Sequence, residues 1–189
     1  MEIRTGTMLA CAALLALMPG CKKKLSPSGV AWLGAIEHAL DHGVSLAVAV
    51  CKPDRGDAMA WSAQSTATGY KLLLGELATC ASAEACTKPV LSAAGTETEA
   101  HLDDDARKYV VSARETLGEL LSASTTSAKT RAQAAAVLTH ATATAEASGK
   151  LVRVCGSPSR QYDMSQAMLS LEQTRVSFRA SIKAMQSDP

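Results

Sequence analysis

His38 and His42 stand four residues apart in the run Glu37-His38-Ala39-Leu40-Asp41-His42. On a helix that spacing stacks two imidazoles on one face, where both can reach a single metal ion. Helical phase argues against a site in the core. At 100° per residue, the apolar stripe through Ile36, Leu40 and Val44 is centred roughly 150 to 200° from the pair. His38 and His42 are therefore expected to face water or a partner surface, and a solvated polar face is the plainer reading. His101 and His140 stand alone and read as surface residues. The run Asp103-Asp104-Asp105 has the composition of a cation site, but acidic residues that begin a helix offset the positive end of its dipole, and that role needs fewer assumptions. Met164 and Met168 could offer thioethers to copper, yet methionines at helical spacing more often fill gaps in a core. The chain has no Cys-x-x-Cys-His, no His-Glu-x-x-His, no Gly-x-Ser-x-Gly elbow and no glycine-rich phosphate loop. The expectation is a protein without catalytic residues or cofactor.

The elements that would position these residues are helices. Ala, Leu, Ser, Gln, Glu and Lys dominate, and the chain lacks the β-branched and aromatic runs that build strands. Ser26 as N-cap and Pro27 at the first helical position open a helix to about Val50, with a stripe of Leu33, Ile36, Leu40, Val44, Ala47 and Cys51. A second helix fits Asp57 to Ala81, capped by Asp57, with Ala60, Ala63, Ala67, Tyr70, Leu74 and Leu77 on one face. Pro89 and Gly95 break the chain that follows, leaving room for one short helix over Val90 to Ala94. A third helix starts at the Asp103 run and carries Ala106, Tyr109, Val110, Ala113, Leu117, Leu120 and Leu121. Ser127 caps a fourth, rich in Ala and Thr, which runs to about Arg153 with a kink expected at Gly149. The last starts at Asp163 with Gln166 as capping-box partner, and lines up Ala167, Met168, Leu171, Phe178, Ile182 and Met185. The economical arrangement is all-α: an up-down helical bundle of four long helices plus a short one, in a single domain over residues 27–189.

Residues 1–20 read differently. The apolar run Met8 to Met18 is too short for a bilayer, which needs roughly 20 residues, and matches the core of a signal peptide. The run ends in Leu17-Met18-Pro19-Gly20-Cys21, followed by Lys22-Lys23-Lys24. Small residues before an immediate Cys resemble the lipobox of bacterial lipoproteins, with Met18 and Pro19 as less usual members; the likeness covers residues 1–21 only. It implies that residues 1–20 are removed and that Cys21 becomes the first mature residue, carrying diacylglycerol and a further acyl chain such as palmitate. Several chains anchor stably where one is marginal. Residues 21–26 would be a short basic tether at lipid headgroups. In the same family an Asp after the lipidated Cys favours the inner membrane. Lys22 stands there, so the resemblance implies the outer membrane, facing the periplasm.

Of six cysteines, Cys11 leaves with the signal and Cys21 is lipidated, so Cys51, Cys80, Cys86 and Cys155 remain. An even number in an exported protein reads as two disulfides. Cys80 and Cys86 flank a short turn and can pair locally. If residues 88–102 cross the bundle, the third helix runs parallel to the second and the fourth parallel to the first. Cys51 and Cys155 then share an end, and the expected pairs are Cys51–Cys155 and Cys80–Cys86. The spacing of Cys80 and Cys86 is not that of a zinc site.

Net charge is +1, with acidic and basic residues interspersed, and the chain holds only one Phe, three Tyr and two Trp. That balance gives no nucleic-acid footprint and no stacking platform. Two classes of function follow. One is a membrane-anchored, non-enzymatic lipoprotein whose helical domain binds another envelope protein or assists assembly at the membrane; the other is a ligand- or metal-binding bundle using His38 and His42.

Overall fold

The computed structural model describes residues 25–52, 56–83, 86, 99, 102–123, 126–156 and 161–188. The signal and lipobox, the lysines of the tether, Val90 to Ala94 and His101 lie outside the described residues. Five helices and no strand are found among those described: α1 (Pro27–Val50), α2 (Asp57–Ser82), α3 (Asp104–Ser122), α4 (Ala128–Cys155) and α5 (Gln161–Ser187). Four have 24 residues or more and α3 has 19. None is long and apolar enough to cross a membrane.

Local chemistry sets the helix starts. Ser26, Asp103 and Ser127 each accept a hydrogen bond from the backbone N–H three residues on, as N-caps do. Two expected starts move. Gly56 caps α2, which makes Asp57 its first residue rather than its cap. The last helix opens at Gln161, so Asp163 lies inside the first turn and complements the dipole there. Helix α4 also runs unbroken through Gly149 to Cys155.

Contacts fix the directions. Gly43 of α1 faces Tyr70 of α2. Along α2 and α4, Gln64 meets Gly149 and Gly75 meets Thr142, so those two helices are antiparallel. At the start of α3, Leu102 packs on Gly69, and Thr66 Oγ1 donates to Asp103 Oδ2 at 3.4 Å. At its end, Arg131 of α4 donates to the Leu121 carbonyl at 2.9 Å. Helix α3 thus runs parallel to α2, and α4 parallel to α1. The parallel pair brings two C-terminal ends together, where Cys51 and Cys155 are bonded with their Cα atoms 4.9 Å apart. Cys80 bonds to Cys86 at the opposite end. Both expected pairs are present.

Helix α4 is the hub, packing most on α2 and α5 and then on α1, while α3 rests mainly on α1. Its buried face is mostly small residues (Ala, Thr, Ser and Gly), with Val137, Leu138, Leu151 and Val152 between. Thr144 and Ser148 are buried too, but each hydroxyl donates to the carbonyl four residues back, at 2.9 and 3.0 Å. Thr and Ser therefore behave here as small core residues with no orphaned polar atom. All five helices contribute to the main cluster, which includes Trp32, Ile36, Tyr70, Leu74, Leu117, Leu138 and Met185. A smaller cluster around Val44, Leu151 and Leu171 sits at the Cys51–Cys155 end, with Met164 and Met168 packed against it.

Candidate functional site

His38 is exposed, as its phase requires, but His42 is half-buried. Its Nδ1 lies 3.1 Å from the Tyr70 hydroxyl, and its ring centroid lies 5.4 Å from that of Tyr109, which stacks 6.3 Å from His38. His42 therefore faces α2 and α3 rather than open water. Helical phase alone gives α1 one apolar stripe, whereas this helix buries a wide arc. Trp32, Ala35, Ala39 and Gly43 form a second stripe that carries His42 into the seam. Burial pushes the Tyr70 hydroxyl far above its usual range, with the negative charge of Asp103 adding to it, so the phenol stays protonated. Asp103 is the N-cap of α3 and the next two aspartates occupy its first turn. Among the described residues no three His, Cys, Asp or Glu side chains converge as a metal-binding set.

A different cluster lies on the outer seam of α2 and α4. Trp61 is 75% exposed and Leu72 is 50% exposed, while the other tryptophan, Trp32, is fully buried. Eleven residues on a helix make three turns and about 20°. Trp61 and Leu72 thus share one face, about 16 Å apart along the axis, with Thr68 between them. Beside that face a groove of about 190 Å³ is floored by Ala67, Ala145 and Gly149 and walled by Gln64, Lys71 and Arg153.

The groove carries more positive than negative charge. Glu146 takes Lys150 at 3.2 Å and Lys71 at 3.4 Å. The Lys150 hydrogen bond, then the charges of Lys150 and Lys71, hold the Glu146 carboxyl below the usual carboxylate range. Arg153 joins none of the described ion pairs. Its guanidinium is instead steadied by an amide. With the amide of Gln64 oriented to satisfy both ends, its oxygen accepts from Arg153 Nη1 and Thr68 Oγ1, each at 3.2 Å, and its nitrogen donates to the Gly149 carbonyl at 3.1 Å.

Gly149 is the least expected member, because glycine inside a helix costs about 1 kcal/mol relative to alanine. A Cβ at this position would stand 3.5 Å from both Ala67 Cβ and the Gln64 side-chain amide. Those are ordinary contacts. Packing does not require the glycine, and what it leaves open is the depth of the groove.

A second recess, between α1 and α5, pairs Glu37 and Asp41 with Arg175 and Arg179 in only about 70 Å³. Its charges offset one another. Arg175 meets Glu172 at 2.7 Å and Asp41 at 4.0 Å, so little is left for a ligand.

The α2–α4 face was not singled out by sequence reasoning, although two signals were there. Trp61 stands nine residues, or 180° of helix, from Tyr70 in the core stripe, and Glu146 and Lys150 have ion-pair spacing. No known protein-family model, curated protein or solved structure matches the chain.

Proposed function

We propose that this chain is a lipid-anchored envelope protein that works by holding another envelope protein against its α2–α4 face, and not by catalysis. The observation that carries the reading is an exposed tryptophan and leucine beside a cationic groove. Trp and Arg are enriched where protein partners bind most strongly, and a tryptophan left three-quarters in water contributes little to the packing of the described helices.

The anchoring half rests on residues 17–24, whose resemblance to a lipobox makes Cys21 the lipid-bearing residue. Two disulfides are in keeping with export to an oxidising compartment. Topology then orients the face. Residues 22–26 span at most about 18 Å even when extended, which ties the N-terminal end of α1 to the lipid. Trp61 lies near the N-terminus of the antiparallel α2, about 31 Å from the end of that helix nearest the anchor. That is the end of the bundle farther from the lipid, which favours a protein in the periplasm over the membrane surface as its target.

Two experiments test this. In the fractionated cell, Cys21→Ser should move the protein from membrane to soluble fractions; if it stays in the membrane, the anchor assignment fails. A photo-crosslinking residue at position 61 or 72 should capture one dominant envelope protein, whereas position 119 on α3 should not. Equal capture at all three positions would remove the case for this face.

A further inference from the structure

We infer that the segment received by the α2–α4 groove is acidic. A carboxylate side chain of the partner protein enters between Gln64, Lys71 and Arg153, and an apolar side chain of the same segment covers Trp61 or Leu72. The inference rests on the partner-binding reading above and adds the chemistry of what binds.

Charge is the first argument. Lys71, Lys150 and Arg153 outnumber the carboxylates beside them: Glu146 takes both lysines, and Asp163 lines an adjoining recess with Lys150 and Arg153. Each lysine has three N–H donors and gives one to Glu146, and the side chains of Lys71 and Lys150 are 46% and 57% exposed, so donors remain in reach of a ligand. Arg153 contributes more. Its guanidinium has five donors in a fixed fork, one of which is held by Gln64 Oε1. A fork steadied along one edge, and in none of the described ion pairs, is prepared for a carboxylate from outside.

Shape is the second argument. The floor of Ala67, Ala145 and Gly149 gives depth under the cations without apolar bulk, which suits a small charged group rather than a large apolar one. Apolar cover is offered separately, at Trp61 and Leu72 on the adjoining face. An amphipathic segment with a carboxylate on one side and an apolar residue on the other matches both. The α1–α5 recess has cations as well, but its own Glu37 and Asp41 answer them.

The test uses the full lipidated chain in nanodiscs of uncharged lipid, with empty nanodiscs subtracted. Two labelled amphipathic peptides serve as probes, identical except that Glu in one is Gln in the other. Trp61 emission reports contact, since Trp32 is buried. The Glu peptide should bind about tenfold or more tightly than the Gln peptide, shift Trp61 emission to the blue and weaken with added salt. Arg153→Gln should abolish the preference while thermal unfolding stays unchanged, and Gly34→Ala, remote from the groove, should retain it. Equal binding of the two peptides, no binding of either, or a larger Trp61 shift with anionic phospholipid vesicles would overturn the proposal. Crosslinking separates this failure from that of the parent reading. If position 61 captures a protein through a segment without Asp or Glu, the acidic claim falls and partner binding stands; if it captures no more than position 119, partner binding itself falls.

Discussion

Removing the Cys51–Cys155 bridge should destabilise the bundle about twice as much as removing Cys80–Cys86. The two bridges span 104 and 6 residues of sequence. A cross-link restricts the unfolded chain more when the loop it closes is longer. On the chain-entropy relation the longer loop contributes about 4.7 kcal/mol at 25 °C and the shorter about 2.3 kcal/mol. Native packing narrows this difference a little, since Cys86 is 5% exposed within the main core while Cys51 and Cys155 are half-buried at its margin. The double variants Cys51→Ala/Cys155→Ala and Cys80→Ala/Cys86→Ala should be compared by urea unfolding, followed by far-ultraviolet circular dichroism. The long-loop variant should also show a steeper dependence on urea, because its unfolded chain can expand and expose more surface. Equal losses from the two variants, or a larger loss from the short-loop one, would refute the entropic reasoning. Four alkylatable thiols in the native protein would refute the bridges themselves.

Gly149→Ala and Gly69→Ala should have opposite signs. At Gly149 the added methyl meets ordinary contacts, so thermal unfolding should show a gain of up to about 1 kcal/mol together with weaker binding of the Glu peptide. At Gly69 it would run into Leu102 Cδ2, a clash with a buried side chain, and a loss of about 1 to 3 kcal/mol is expected. Tyr70 predicts the alkaline limb of stability. Its folded pKa is raised, so the unfolded chain releases this proton first, above about pH 10. Stability from this group is complete below that value and falls as pH rises beyond it, by up to about 1.4 kcal/mol per pH unit. Tyr70→Phe should flatten that slope, at a cost near neutral pH of about 1 kcal/mol for the lost hydrogen bond to His42; an unchanged slope would show that the buried phenol is not its source.

Much of the fold was legible because every helix has an apolar period and three of the five also carry a start signal that the structure keeps. Ser26 with Pro27, the Asp103 run and Ser127 are all where their hydrogen-bonding chemistry requires. The even count of four cysteines, joined to helix direction, was enough to choose the pairing. Reading failed where a helix touches more than one neighbour. A single stripe was assigned to α1, so the second stripe through Trp32 and Ala39 was missed, and with it the burial of His42. The candidate face was illegible for a related reason. Gln64, Lys71, Glu146 and Arg153 come from helices separated by a whole intervening helix, and none belongs to a local motif. Trp61 and Leu72 stand out of phase on α2, and two exposed apolar residues do not define a site until the structure shows what lies beside them.

The place of the groove follows from the composition of α4. A helix that must touch α1, α2 and α5 at once cannot carry large side chains on every face, and Ala, Thr, Ser and Gly let the neighbours come close. The same smallness leaves a trough where α2 and α4 meet. On the one face that α4 turns outward, Glu146, Lys150 and Arg153 follow at intervals of four and three residues and form a charged ridge above that trough. Arg153 sits in the last turn, where helices fray, and two residues later Cys155 is bonded to Cys51. The bridge therefore fixes the segment from which the Arg153 guanidinium projects. On the proposed function, stability and recognition meet at this end of the bundle: the covalent link that most constrains the unfolded chain would also hold the cation in place for a partner.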